Sequence, residues 1–193
     1  MRPSSLGYRC AIAITGALYS AICTAGVTIH YEGAIADQAS MSKVFAVARA
    51  TAGNLGWPVA EANVREVSLP RWEGGFNTPY KGPLVGIRIA PHPDSEPLEI
   101  QFGTDGKLQS FIKTQFAGPD IHIEVISLLR AIQPYFSVFS VSDEGEYWET
   151  RDRQRLEANM EAVFRSIEFT KKQNPGVRGP IRIQGGRIVD LTQ

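Results

Sequence analysis

The chain has 193 residues, 43% apolar and 21% charged, and its 20 basic residues match 20 acidic ones. That length suits one domain able to bury roughly 70% of its unfolded surface. The even charge balance excludes the basic footprint of a nucleic-acid binder, so no nucleic acid is expected as partner.

Residues 1–26 differ from the rest. Arg2 and Arg9 precede the apolar run CAIAITGALYSAI, too short to span a bilayer, which needs about 20 residues. Small residues around Cys23-Thr24-Ala25 complete the pattern of a secretory signal peptide. The competing reading is a start codon placed too far upstream, with synthesis beginning near Val27. The first reading implies an exported protein, periplasmic or secreted, and the second a cytoplasmic one. In either case Cys10 and Cys23, the only cysteines, leave the folded part. That part then has no disulfide or thiolate chemistry and no membrane span.

The first strand is expected over VTIHYEG (27–33). Asp37 or Ser40 caps a helix carrying Met41, Val44, Phe45, Ala48, Ala52 and Leu55 at helical spacing, stopped by Gly56 and Pro58. Strands follow at 59–69, 83–90, 98–102 and 107–113. The last two are joined by GTDG (103–106), where Asp-Gly supplies the positive φ of a tight hairpin. Gly118-Pro119 opens a second helix that ends at Pro134, and FSVFSV (136–141) alternates as a strand. Thr150 is the expected cap of a last helix, with Leu156, Met160, Val163, Phe164 and Ile167 turned inward. Residues 171–193 read as a tail or a small hairpin around Gly185-Gly186. The expected fold is therefore a single α+β domain over 27–170. Its mainly antiparallel sheet of about five or six strands is covered by three helices.

The densest acidic stretch, DEGEYWETRD (143–152), lies between that strand and the last helix. The helix dipole accounts for Asp152 and roughly for Glu149. It does not account for Asp143, Glu144 and Glu146. Tyr147 and Trp148 either anchor this loop to the sheet or, if exposed, form a recognition surface with Glu144 and Glu146.

A second concentration is APHPDSEP (90–97). In an extended segment His92, Asp94 and Glu96 share one face and could hold a divalent metal, although no named motif is matched. His30 and Glu32 share a face of the first strand. His122 and Glu124 point apart on their helix, with His122 expected in solvent near its start. The connection 70–83 is long and carries Arg71, Trp72, Phe76, Tyr80 and Lys81, aromatics beside cations that suit a planar ligand or an acidic partner. Lys113 and Gln115 share a face beside a helix start able to attract an anion. Nucleophile elbows, zinc-protease helices and phosphate loops are absent from the sequence.

Two functions follow. One is a non-catalytic module that binds another protein or a small ligand through Arg71, Trp72, Tyr80, Lys81, Glu144, Glu146 and Trp148. The alternative is a metal-assisted hydrolase or lyase on His92, Asp94 and Glu96, with Glu144 or Glu146 approaching from the neighbouring loop. It requires the two loops to meet.

Overall fold

The computed structural model describes residues 26–73 and 76–192, with Trp72 and Glu73 described in backbone only. Residues 1–25, where the sequence suggests a leader, and both cysteines lie outside the described residues. In chain order the elements are β1 (Thr28–Ala34), α1 (Gln38–Asn54), β2 (Val59–Glu61), β3 (Val64–Leu69), β4 (Trp72–Glu73) and β5 (Phe76–Asn77). Then come β6 (Tyr80–Ile89), β7 (Leu98–Gly103), β8 (Lys107–Lys113), α2 (Pro119–Ile132) and β9 (Val138–Asp143). Last are α3 (Tyr147–Thr150), α4 (Arg153–Gln173), β10 (Ile181–Arg182) and β11 (Ile188–Val189). The sheets are antiparallel throughout, which is the α+β architecture expected from the sequence.

Local chemistry explains the boundaries. The Asp37 carboxylate accepts the Ser40 amide at 2.7 Å and starts α1. Gly56, at φ +70°, turns the chain out of it. Gly118 at φ +88° and Pro119 open α2. α4 begins at Asp152, whose carboxylate accepts the amides of Gln154 and Arg155; Thr150 instead ends the extra short helix α3. The expected single strand 59–69 is broken into β2 and β3, because Ala62 and Asn63 turn to bind the two sides of Gly86. The expected 14-residue loop is shorter than its sequence suggested. It contains the β4–β5 pair, and β6 already starts at Tyr80.

The strands form two main sheets. In one, β1 lies between β8 and β9. In the other, β6 pairs with β7 on one edge and with β2 and β3 in succession on the other. The Asp-Gly turn links them, with the Gly106 amide donating to the Gly103 carbonyl at 3.0 Å; β7 and β8 pair in different sheets, so the hairpin expected there is instead a tight turn between sheets. Between the sheets stands Tyr31. Its hydroxyl donates to the Glu99 carbonyl at 2.9 Å and accepts the Glu99 amide at 3.1 Å, supplying there what a ladder rung would supply. Burial pushes ionisation of this phenol well above its usual range.

One face of the strands carries Ile29, Ile87, Ile89, Leu98, Ile100, Phe102, Leu108 and Ile112 and is covered by α1 and α2. α4 packs on α2 and α3 and closes with Leu156 and Met160 over Val27, a smaller second core. Ile167 is buried too, whereas Phe164 stays 41% exposed. No helix among the described residues is long and apolar enough to cross a membrane.

The candidate groove on the open sheet face

Strand alternation dictates what faces away from the helices. On β1 these are His30 and Glu32, since Ile29 and Tyr31 point into the core. The register sets Phe111 and Ser142 on either side of His30, and Gln109 and Ser140 on either side of Glu32. Opposite stand Val64, Val67 and Leu69 of β3, Leu84 of β6 and Glu99 and Gln101 of β7. Together they line a groove of about 770 Å³, within the range of ligand sites.

Its polar groups are ordered. Gln109 donates to the Glu32 carboxylate at 2.7 Å. The His30 ring lies 5.7 Å from that of Phe111, and its Nε2 is 3.9 Å from Glu144 Oε1. The other Glu144 oxygen accepts the Thr28 amide at 2.9 Å. Arg187, reaching in from the tail, stacks on Phe111 at 4.0 Å and binds Glu96 and Glu99 at 3.1 and 3.2 Å. Phe111 remains 38% exposed.

Of the residues singled out in 70–83, Arg71 lines this groove but is only 6% exposed. It is held by Asp105 at 2.6 Å and the Lys107 carbonyl at 3.1 Å, and stacks on Tyr80 at 4.2 Å. The Tyr80 hydroxyl is itself spent on Pro83 and Thr104. Lys81 is in solvent, 3.7 Å from Glu66. The side chain of Trp72 lies outside the described residues.

The acidic loop is consumed largely by the fold. Asp143 is buried. Glu146 sits at φ +60° and pairs with Arg155. Trp148 turns inward, its ring covered by the Arg130 guanidinium at 4.2 Å and edge-on to Phe139. Only Glu144 faces the groove side, beside His30.

His92, Asp94 and Glu96 do not form one site. His92 Nδ1 accepts the Asp94 amide at 3.0 Å, an exposed turn contact. Glu96 is 2% exposed, and its carboxylate takes the Ile188 amide at 2.7 Å, the Lys113 amide at 3.2 Å and Arg187. Prolines bend 90–97 instead of extending it, so the alternating face expected of an extended segment is not formed. Among the described residues no group of three or more His, Cys, Asp or Glu is placed to hold a metal. The loops 90–97 and 143–149 leave the same end of the sheets, as the alternative function requires. However, β8 and β1 lie between Glu96 and β9, three strand spacings or roughly 14 Å.

His122, expected in solvent, is fully buried. Its ring joins Thr114 Oγ1 at 2.7 Å to Asp143 Oδ2 at 3.1 Å. The order Thr-His-Asp imitates a nucleophile, base and orienter. Thr114 and His122 have no exposed surface, so no substrate reaches them, and the chain ties α2 to β8 and β9. Burial pushes the Asp143 carboxyl up, but His122 and the Trp148 and Gly145 amides outweigh that and hold it below the usual range. Lys113 and Gln115 are likewise engaged, both with Asp190 of the tail.

Sequence reasoning missed Phe111, Gln109, Ser140, Ser142, Glu99 and Arg187. Alternation in 107–113 and 136–141 marked the outward positions of two strands, but only strand order shows that they share a face. No protein-family model, curated protein or solved structure matches this chain.

Proposed function

We propose that the protein is a non-catalytic binding module that takes another protein or a small ligand in the groove on its open sheet face. The observation that carries this reading is the groove itself: a helix-free face with apolar walls, one half-exposed aromatic ring and ordered polar groups around it. Apolar lining with few oriented polar groups is the usual composition of a ligand site. Loop 70–83 contributes Arg71 to the lining, and Glu144 of loop 143–149 stands beside the lining residue His30 at 3.9 Å. No hydrogen-bonded nucleophile and base reach the groove among the described residues.

The test is retention of a ligand from the native host's lysate by immobilised residues 26–193, compared with the variant Val67→Trp. That substitution fills the groove from the β3 wall at a partly exposed position. Retention by the wild-type chain and its loss in the variant support the reading. Equal retention by both places the binding elsewhere and refutes it.

A further inference from the structure

β9 is the last strand of its sheet, paired only with β1. The Glu144 amide donates to the Thr28 carbonyl, so antiparallel alternation turns the amides and carbonyls of Phe139 and Val141 outward, away from β1. No strand lies beyond them among the described residues. Free edges are commonly guarded by charge, proline or a bulge. The β2–β3 edge follows that rule, with Glu61, Arg65 and Glu66 and an irregular register between Val64 and Val67. β9, with the sequence VFSVSD, has none of these on its outer edge. Its one charge, Asp143, is turned into the protein, and Val138 is 67% exposed.

What borders this edge selects the occupant. The groove-face residues of β9 are Ser140 and Ser142, whose short side chains leave open the way to β1. Across from Ser140 on β1 stands Glu32, and across from Ser142 stands His30, with the Glu144 carboxylate 3.9 Å from its Nε2. The neighbours of these carboxylates include the Gln109 amide, the Thr28 amide and His30. A strand added to β9 would lie roughly 10 Å from β1, with alternate side chains beside the serines. A long cationic side chain there passes over Ser140 to Glu32, or over Ser142 to His30 and the Glu144 carboxylate beside it.

We infer that the edge of β9 receives an extended segment of a partner protein bearing arginine or lysine at alternate positions, added as a further strand. Backbone pairing with Phe139 and Val141 supplies affinity, and the two carboxylates supply selectivity. A second copy of this chain fits less well, because its own Val138, Ser140 and Ser142 would leave both carboxylates unmatched. The inference rests on the groove reading above and names the partner's chemistry.

The experiment uses a fluorescent eight-residue peptide of alternating valine and arginine, its valine–glutamate counterpart, and an arginine peptide N-methylated on alternate residues. Fluorescence anisotropy gives affinity, and hydrogen exchange reports the amides of Phe139 and Val141. The arginine peptide is expected to bind about tenfold tighter than the glutamate peptide, the size of two exposed charge pairs. The double variant Glu32→Gln, Glu144→Gln should remove that preference while melting as the wild type does. N-methylation should abolish binding, and both amides should exchange more slowly when the peptide is bound. Ser140→Lys, which guards the edge and answers Glu32 internally, gives an independent loss. Equal binding of both peptides, indifference to the double variant, or unprotected β9 amides overturns the inference. So does protection that grows with protein concentration alone, which indicates self-pairing. If those tests fail while Val67→Trp still abolishes retention, only the partner's chemistry is refuted; if Val67→Trp also has no effect, the groove reading falls too.

Discussion

Replacing Asp143 with alanine tests whether the acidic stretch serves the fold. The wholly buried carboxylate accepts the Gly145 amide at 2.8 Å, the Trp148 amide at 2.9 Å and a hydrogen bond to His122 at 3.1 Å. Asp143→Ala strands two backbone donors and one imidazole nitrogen in the interior, each worth about 1–3 kcal/mol if left unmet. Relaxation and entering water reduce the sum, and deletions from buried pairs typically cost about 3–5 kcal/mol. For a domain of this size that lowers Tm by about 6–20 °C. The assay is urea and thermal unfolding of Asp143→Ala and Asp143→Asn, with Glu149→Ala as an exposed acidic control expected within about 0.5 kcal/mol of wild type. pH provides a second axis. Because the folded-state carboxyl is held below its ordinary value, folding favours the ionised form. That contribution is complete above the unfolded carboxyl's pKa of about 3.9 and is lost as pH falls through the folded value. The gap between wild type and Asp143→Asn should therefore be widest near neutral pH and close in acid. A loss under about 1 kcal/mol at pH 7 for Asp143→Ala, or a gap that widens in acid, would show the network reasoning to be wrong.

Three further outcomes are expected. Gly86→Ala drives a Cβ into the Ile100 carbonyl and to 2.6 Å from Gln101 Cα, and should lose about 2–3 kcal/mol in a denaturant melt. Glu96→Ala releases Ile188, Lys113 and Arg187 together, so trypsin should cut at Arg182 and Arg187 about tenfold faster or more, with a smaller change in the global melt. Zn, Mn, Mg or Ca at about 1 mM should leave Tm within about 1 °C, whereas a site of about 10 μM affinity would add about 2.7 kcal/mol. A rise of about 5–10 °C that His92→Ala abolished would return the metal reading to favour.

The sequence showed most clearly what short-range chemistry controls. Asp37, Gly56, the Gly103–Gly106 turn and Gly118-Pro119 sit where the chain changes direction, because each acts within four residues. The split between β2 and β3 was hidden, since it depends on Gly86 some 20 positions away. His122 was misread for a related reason. A polar residue near a helix start normally faces water, and its two partners, Thr114 and Asp143, lie 8 and 21 residues away in sequence. Glu96 looked like a ligand beside His92 only because its true partners, Arg187 and Ile188, come more than 90 residues later. The groove is a property of strand order, and nothing local announces that His30, Phe111 and Ser142 lie in one row.

The central position of β1 also bears on how the molecule forms. β1 pairs with β8 across 73 to 85 residues and with β9 across 104 to 114, so after its own synthesis it waits at least 73 residues for one neighbour and at least 104 for the other. Every one of these contacts requires a long loop to close before any ladder bond is gained. Refolding should therefore fall with the slow, non-local topologies, on the order of milliseconds to seconds, even though α1 and the Gly103–Gly106 turn form early. On the ribosome, which adds roughly 5–20 residues each second, β1 spends several seconds with both edges unpaired. The nascent chain thus passes through a stage in which Ile29 and Tyr31 are exposed with no sheet to join, and chaperone capture is expected between completion of β1 and emergence of β9.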